Sequence, residues 1–254
     1  MEVEETEYLS LNEMRLQLNL YEIRERRKSM IEWGACLMNC LIHSHVSGMR
    51  GIIRVDKGER PDFQMHFPEI QHGIHFEVTI AASQAHQAAL RIMQNDPTVK
   101  FLEPSTYSAS PALTARHREV GIGREGDSLG GPGWGGWQAE NQWVEFIERA
   151  IENKVTKFYD YGFDQLVIYD DSPVSGWINT YLAVKLILKR PKIDENFMIN
   201  IWSGNHFIHD LYGKGCRLYN VEKIHLSEEY FPYMKMLNLD RPGKNVICSS
   251  KNEF

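Results

Sequence analysis

Arg60-Pro61-Asp62-Phe63-Gln64-Met65-His66-Phe67, followed after a short connection by Gly73-Ile74-His75-Phe76-Glu77-Val78-Thr79-Ile80-Ala81, is the stretch whose patterning decides how the rest of the chain is read. Side chains alternate across a strand, so residues of one parity share a face. Phe63, Met65 and Phe67 share one side of the first run, and Asp62, Gln64 and His66 the other. In the second run Ile74, Phe76, Val78 and Ile80 oppose His75, Glu77 and Thr79. Pro68 to His72 has hairpin length, and burying both apolar sides against one layer turns both polar sides the same way. Asp62 and Glu77 are therefore expected to converge. With His66 opposite His75 they are diagonal neighbours with Cβ atoms roughly 7–8 Å apart, and a slip by two residues sets them face to face. Either register lets both carboxylates reach one hard cation, which prefers oxygen ligands. Alternation by itself also fits an ordinary hairpin with one face in water.

Outward from this pair, apolar residues recur at helical spacing from Ser10 to Val46, in Leu11, Met14, Leu18 and Tyr21 and again in Trp33, Leu37, Cys40 and Leu41. That predicts one long helix or two short ones, with Gly48 as the stop, and Gly51 to Val55 as a first strand before the hairpin. The acidic residues 1 to 7 are expected to fray. Ser83 is a candidate cap for a helix that Asp96 and Pro97 end. Leu102 to Trp137 shows no sustained period and contains the run GGPGWGG, so it is expected as a long insertion. Its Trp134 and Trp137 are suited to stacking on a base, but packing the loop on its own domain is the simpler expectation. A helix follows over Gln138 to Tyr161, then a strand over Gln165 to Tyr169, a helix over Gly176 to Leu188, and strands near Phe197 to Trp202 and Phe207 to Leu211. One domain over 1–225 and a peripheral tail over 226–254 are expected.

The chain has 254 residues, 43% of them hydrophobic and 24% charged, enough to bury one substantial core. A formal net charge of −6 excludes a surface that is basic throughout, but not a local groove that meets phosphates through a bound cation. Its most apolar windows fall short of the ~20 residues of a membrane-spanning helix. Cys36, Cys40, Cys216 and Cys248 are too few for a disulfide framework, and no signal peptide precedes the first helix, so a cytoplasmic setting is expected. Cys36 and Cys40 lack a second ligand pair at zinc spacing and are read as small core residues. His206 and His209 fall on different faces of a short strand. No phosphate loop of the GxxxxGK[ST] type and no GxSxG elbow is present, which leaves nucleotide-driven chemistry and acyl hydrolysis without support.

The helix over Gln138 to Tyr161 carries an apolar stripe of Val144, Ile147, Ile151, Val155 and Phe158. Lys154 lies close to that stripe, Lys157 nearer the solvent boundary, and Glu140 along the stripe's direction. A lysine beside a buried seam ordinarily snorkels to the edge, unless acids or a metal there give it a partner. His75 shares a face with Glu77 and either assists it or is simply solvated.

Arg60-Pro61-Asp62-Phe63 followed by Phe76-Glu77-Val78-Thr79 resembles the split motif of the PD-(D/E)XK nuclease superfamily, the restriction endonuclease-like enzymes. So does Glu140 with Trp143, Ala150-Ile151, Lys154 and Lys157 ahead of Leu166-Val167-Ile168-Tyr169-Asp170, which is similar to uncharacterised bacterial members. The resemblance covers roughly 30–170 and implies an α/β fold: an αβββαβ core with a central mixed sheet flanked by helices. It also implies that Asp62, Glu77 and the Val78 carbonyl hold Mg²⁺ or Mn²⁺ beside a scissile phosphate of nucleic acid, DNA before RNA. In a typical member a lysine stands two residues after the second acid. Here that place belongs to Thr79, which cannot supply a positive charge, so Lys154 is the candidate for a migrated lysine carried by a helix. Many members place a glutamate on the helix before the strands, and Glu32 is the positional match. The resulting expectation is a metal-dependent phosphodiesterase with Asp62, Glu77 and Lys154 as catalytic residues. Its rival is an inactive fold of the same kind that binds nucleic acid or protein, and a further reading makes Phe197 to Phe254 a surface for homo-oligomers.

Overall fold

The computed structural model describes residues 4–8, 15–18, 27–47, 52–58, 60–66, 73–109, 121–127, 134–193, 196–213 and 216–220. Eleven strands and four α-helices stand among them in the order β1 (Glu4–Tyr8), β2 (Arg15–Leu18), α1 (Arg27–Ser47), β3 (Ile52–Lys57), β4 (Phe63–His66), β5 (Ile74–Ala81), α2 (Gln84–Asn95), β6 (Val99–Leu102), β7 (Ile122–Arg124), α3 (Gln138–Tyr161), β8 (Gln165–Asp170), α4 (Thr180–Ile187), β9 (Met198–Ser203), β10 (His206–His209) and β11 (Arg217–Asn220). The fold is α/β with a mixed sheet. Nine strands run in the order β1-β11-β10-β9-β8-β5-β4-β3-β2, and β6 and β7 form a separate antiparallel pair. The outer pairs β1/β11 and β2/β3 are parallel, whereas β3/β4, β4/β5, β9/β10 and β10/β11 are antiparallel.

The chain divides into two compact units, Met1–Thr79 with Lys154–Tyr169 and Asp194–Phe254, and Ile80–Asn153 with Asp170–Ile193. In the first, α1 buries Ala35, Cys36, Met38, Asn39, Cys40 and Ile42. The two cysteines act there as small core residues, as their spacing predicts. The indole of Trp202 on β9 packs over the helix at Gly34, where a Cβ would stand at an ordinary contact distance of 3.4 Å from the ring. Below the helix lies a buried amide chain. Asn39 donates to Gln165 Oε1 at 2.9 Å, Asn200 donates to Asn39 Oδ1 at 2.8 Å, and Asn200 Oδ1 accepts the Asp210 N–H at 2.9 Å. Each group finds partners, which is the condition for burying amides without a large penalty. Phe158, Phe163 and Phe197 close another part of the core, with ring centroids 4.8–5.4 Å apart. The two-residue β9–β10 turn uses Gly204 at φ 54°, a left-handed conformation that suits tight hairpins.

In the second unit α2 starts as its sequence predicts, with Ser83 Oγ accepting the His86 N–H at 3.3 Å. The α3 residues Trp143, Val144, Phe146, Ile147, Ala150 and Ile151 are buried, and Trp143 Nε1 donates to Asp170 Oδ2 at 2.7 Å. Trp134 leans on Trp177 with centroids 5.8 Å apart and donates Nε1–H to Gln142, whereas Trp137 is 56% exposed.

Several expectations need correction. Residues 4–8 form a strand rather than a frayed end, because β11 offers them a parallel edge. The helical spacing of Leu11, Met14, Leu18 and Tyr21 is misleading: Arg15–Leu18 is a strand paired with β3, and the helix begins at Arg27. Gly48 and the tail beyond 220 lie outside the described residues. The segment 102–137 holds β7, which pairs with β6. The fourth helix starts at Thr180, capped by Asn179, whose side chain accepts the Leu182 N–H.

Candidate functional site

β4 and β5 pair with Phe63 opposite Phe76 and Gln64 opposite His75. This is the register slipped by two residues, and it sets Asp62 across from Glu77 at the end of the ladder. Phe63 and Phe76 stack on the apolar side with centroids 5.3 Å apart, which holds the two strands in this register. On the polar side the acids interlock. The Asp62 N–H donates to Glu77 Oε2 at 3.2 Å, and the Val78 N–H donates to Asp62 Oδ2 at 2.9 Å. Each carboxylate thus bonds the backbone of the other's strand.

Glu77 does not lie in water. It is 2% exposed, so the hairpin is not one with an ordinary solvent face. An ionised carboxylate at such a position requires a partner, and α3 supplies it. Lys154 Nζ stands 2.6 Å from Glu77 Oε1, itself buried, and Lys157 Nζ is 3.5 Å from the same oxygen with its side chain 48% exposed. Tyr161, seven residues after Lys154 and on the same helical face, directs its hydroxyl to Glu77 as well.

The electrostatics follow from this packing. Burial pushes Asp62 above the ordinary carboxylate range, against the Val78 N–H, and the negative charges of Glu77 and Glu32 push the same way. Burial acts on Glu77 too, but the Lys154 hydrogen bond and charge, the Tyr161 hydroxyl and the Asp62 N–H outweigh it and hold Glu77 below its usual value. Burial lowers Lys154, opposed by Glu77 and Asp62 and reinforced by the neighbouring Lys157 charge. Tyr161 is pushed up by burial and by the carboxylate it faces.

Asp62, Glu77, Val78, Lys154 and Lys157 thus come together in the first unit, with Glu32 near enough to be felt by Asp62. Thr79 is half-buried two residues beyond Glu77. His75 turns to a different partner: its N–H donates to Asp164 Oδ2 at 2.7 Å, and its ring lies 3.5 Å from the same oxygen. Glu140 belongs to the second unit, where its Oε1 accepts the Asn179 N–H at 3.1 Å. Sequence reading missed Tyr161, whose signal was its place seven residues after Lys154.

Two neighbouring carboxylates suit a hard divalent cation such as Mg²⁺, which binds through one or two carboxylates and keeps several waters. Among the described residues no group of three or more His, Cys, Asp or Glu is placed to hold a metal ion. Among the described His, Cys, Asp and Glu side chains, a cation here would therefore rest on Asp62 and Glu77. The observation that favours this fit is geometric: Asp62 and Glu77 stand across from each other, and each is fixed by a backbone N–H of the other's strand.

No family model, no curated protein and no solved structure matches this chain.

Proposed function

We propose that this chain is a metal-dependent phosphodiesterase acting on nucleic acid, DNA before RNA, with a restriction endonuclease-like core. The observation that carries this reading is the buried Glu77, interlocked with Asp62 on one side and ion-paired with Lys154 on the other. The order α1, β3–β5, α3, β8 and the resemblance of the Asp62 and Glu77 strands to the PD-(D/E)XK motif support the same reading.

In this proposal Asp62, Glu77 and the Val78 carbonyl hold Mg²⁺ or Mn²⁺. When bound, such an ion lowers the pKa of a coordinated water and neutralises charge on phosphate oxygens. The protein's own contribution is positioning. The Val78 N–H fixes Asp62 Oδ2, and the Asp62 N–H fixes Glu77 Oε2. Lys154 sets the rotation of the Glu77 carboxylate and brings to the site the positive charge that Thr79 lacks. A carboxylate has about four lone-pair positions, so these bonds leave acceptor capacity on both acids.

The test is cleavage of plasmid DNA and of a labelled RNA with Mg²⁺ or Mn²⁺, repeated with chelator and with Asp62→Asn. Cleavage that needs the metal and is lost in the variant supports the proposal. Equal cleavage by the variant overturns it.

A second reading, an inactive fold that binds nucleic acid or protein, is favoured by Thr79 at the motif position and by the engagement of Glu77 Oε1 with two lysines. It predicts nucleic-acid or protein binding with no cleavage under any divalent metal. We place either activity in the cytoplasm, on the few cysteines of the sequence. Self-association through Phe197 to Phe254 is part of the proposal and is tested by light scattering.

A further inference from the structure

Two lysines one helical turn apart address a single oxygen of Glu77, and they are not equivalent. Lys154 is buried and makes the short contact at 2.6 Å; Lys157 is half in solvent and makes a loose one at 3.5 Å. The first contact satisfies the buried carboxylate. The second adds an ammonium beside a like charge at i+3 on the same helix, an arrangement that is unfavourable unless further negative charge is near. The Lys157 charge acts against the charged form of Lys154.

A second cation lies close by in the chain. Arg60 is exposed and lies two residues before Asp62, whose N–H is bonded to the other oxygen of Glu77. Among the described residues Arg60 makes no ion pair. Its charge is felt at the Tyr161 hydroxyl, in the last turn of α3. The carboxylate pair thus has an exposed guanidinium two residues before Asp62 in the chain and an exposed ammonium 3.5 Å from Glu77 Oε1. Neither must be drawn out of water to meet an incoming ligand, whereas Lys154 would have to abandon a buried partner.

We propose that Arg60 and Lys157 form an oxyanion-receiving edge of this site, which takes a phosphate group of the substrate as Lys157 moves from Glu77 to that phosphate. The edge rests on the reading of the site as phosphodiesterase machinery and assigns its substrate-side contacts. It needs no metal, because the charges that make it belong to the chain. Lys154 is then the positioning lysine, and Lys157 the one that touches substrate.

The test is binding of inorganic phosphate and of a short labelled single-stranded DNA in chelator, with the full chain and the variants Arg60→Gln, Lys157→Gln and, as a control in the second unit, Lys100→Gln. Each of the first two is expected to weaken binding about tenfold and to reduce the slope of log affinity against log salt by about 1. The control leaves both unchanged. In the unaltered protein, phosphate is expected to slow acetylation of Lys157 by acetic anhydride, a readout that does not depend on variants folding. Equal binding by Arg60→Gln and Lys157→Gln, or no protection of Lys157, overturns the edge. If DNA binding depends on both residues while no metal supports cleavage, the edge stands and the hydrolase falls. If cleavage needs Asp62 but binding ignores Arg60 and Lys157, the reverse holds.

Discussion

Lys154 Nζ lies 2.6 Å from Glu77 Oε1, a contact between residues 77 positions apart in which both partners are buried. A pair of this kind adds little net stability over an apolar pair of the same shape, but breaking one half leaves an uncompensated charge. Lys154→Met is therefore expected to destabilise the fold by about 3–5 kcal/mol, and Glu77→Leu combined with Lys154→Met to recover most of that loss. Urea unfolding of the two variants checks it. A single variant as stable as the parent shows that the pair is not formed.

Tyr161 brings a hydroxyl to the same carboxylate. Partners that orient a metal ligand typically matter 10–100-fold, so Tyr161→Phe is expected to lower metal affinity and cleavage by roughly that factor, with the melting temperature lowered by only a few degrees for the lost hydrogen bond. Steady-state cleavage and thermal melts measure the two effects separately. A Tyr161→Phe protein with parental cleavage contradicts the role.

His209 is buried beside the charges of His43 and Arg217, and burial above all lowers it from 6.5 to about 4. The unfolded chain therefore binds a proton between about pH 6.5 and 4 that the folded chain does not. Stability from this group is full above pH 6.5 and declines as pH falls toward 4, by up to about 3 kcal/mol. Burial lowers His43 as well, so it acts in the same direction. His209→Asn is expected to flatten the pH dependence of urea midpoints between pH 6.5 and 4; an unchanged slope contradicts it.

Ser83 caps α2 through the His86 N–H. Ser83→Ala is expected to cost about 1 kcal/mol, read from the shift of the urea midpoint with its slope unchanged. No shift at all removes the cap from the account.

What the sequence shows about this molecule depends on how local each signal is. The extent of α3 is legible end to end because its apolar stripe repeats over many turns, and α2 is legible from Ser83 and Pro97. The strands Glu4–Tyr8, Arg15–Leu18 and Arg217–Asn220 are not, because each is short and exists by pairing with a distant partner. The parity of Asp62 and Glu77 is legible, but their register is not. Hairpin length tolerates either slip, and the stacked Phe63 and Phe76 decide it. That Lys154 lies near a buried seam is legible, whereas its partner is set by how α3 lies against β5, which no local pattern encodes. Glu140 shares a helix with Lys154 but bonds Asn179, a contact that likewise depends on tertiary packing.

The claim on which the functional account rests is that Asp62 and Glu77 share one divalent cation. Calorimetric titration of Mn²⁺ into the protein, into Asp62→Asn and into Glu77→Gln measures it without any assumption about substrate. The account predicts one Mn²⁺ bound per chain in the parent and a loss of about tenfold or more in affinity in each variant. No uptake by the parent, or uptake that neither substitution weakens, contradicts it.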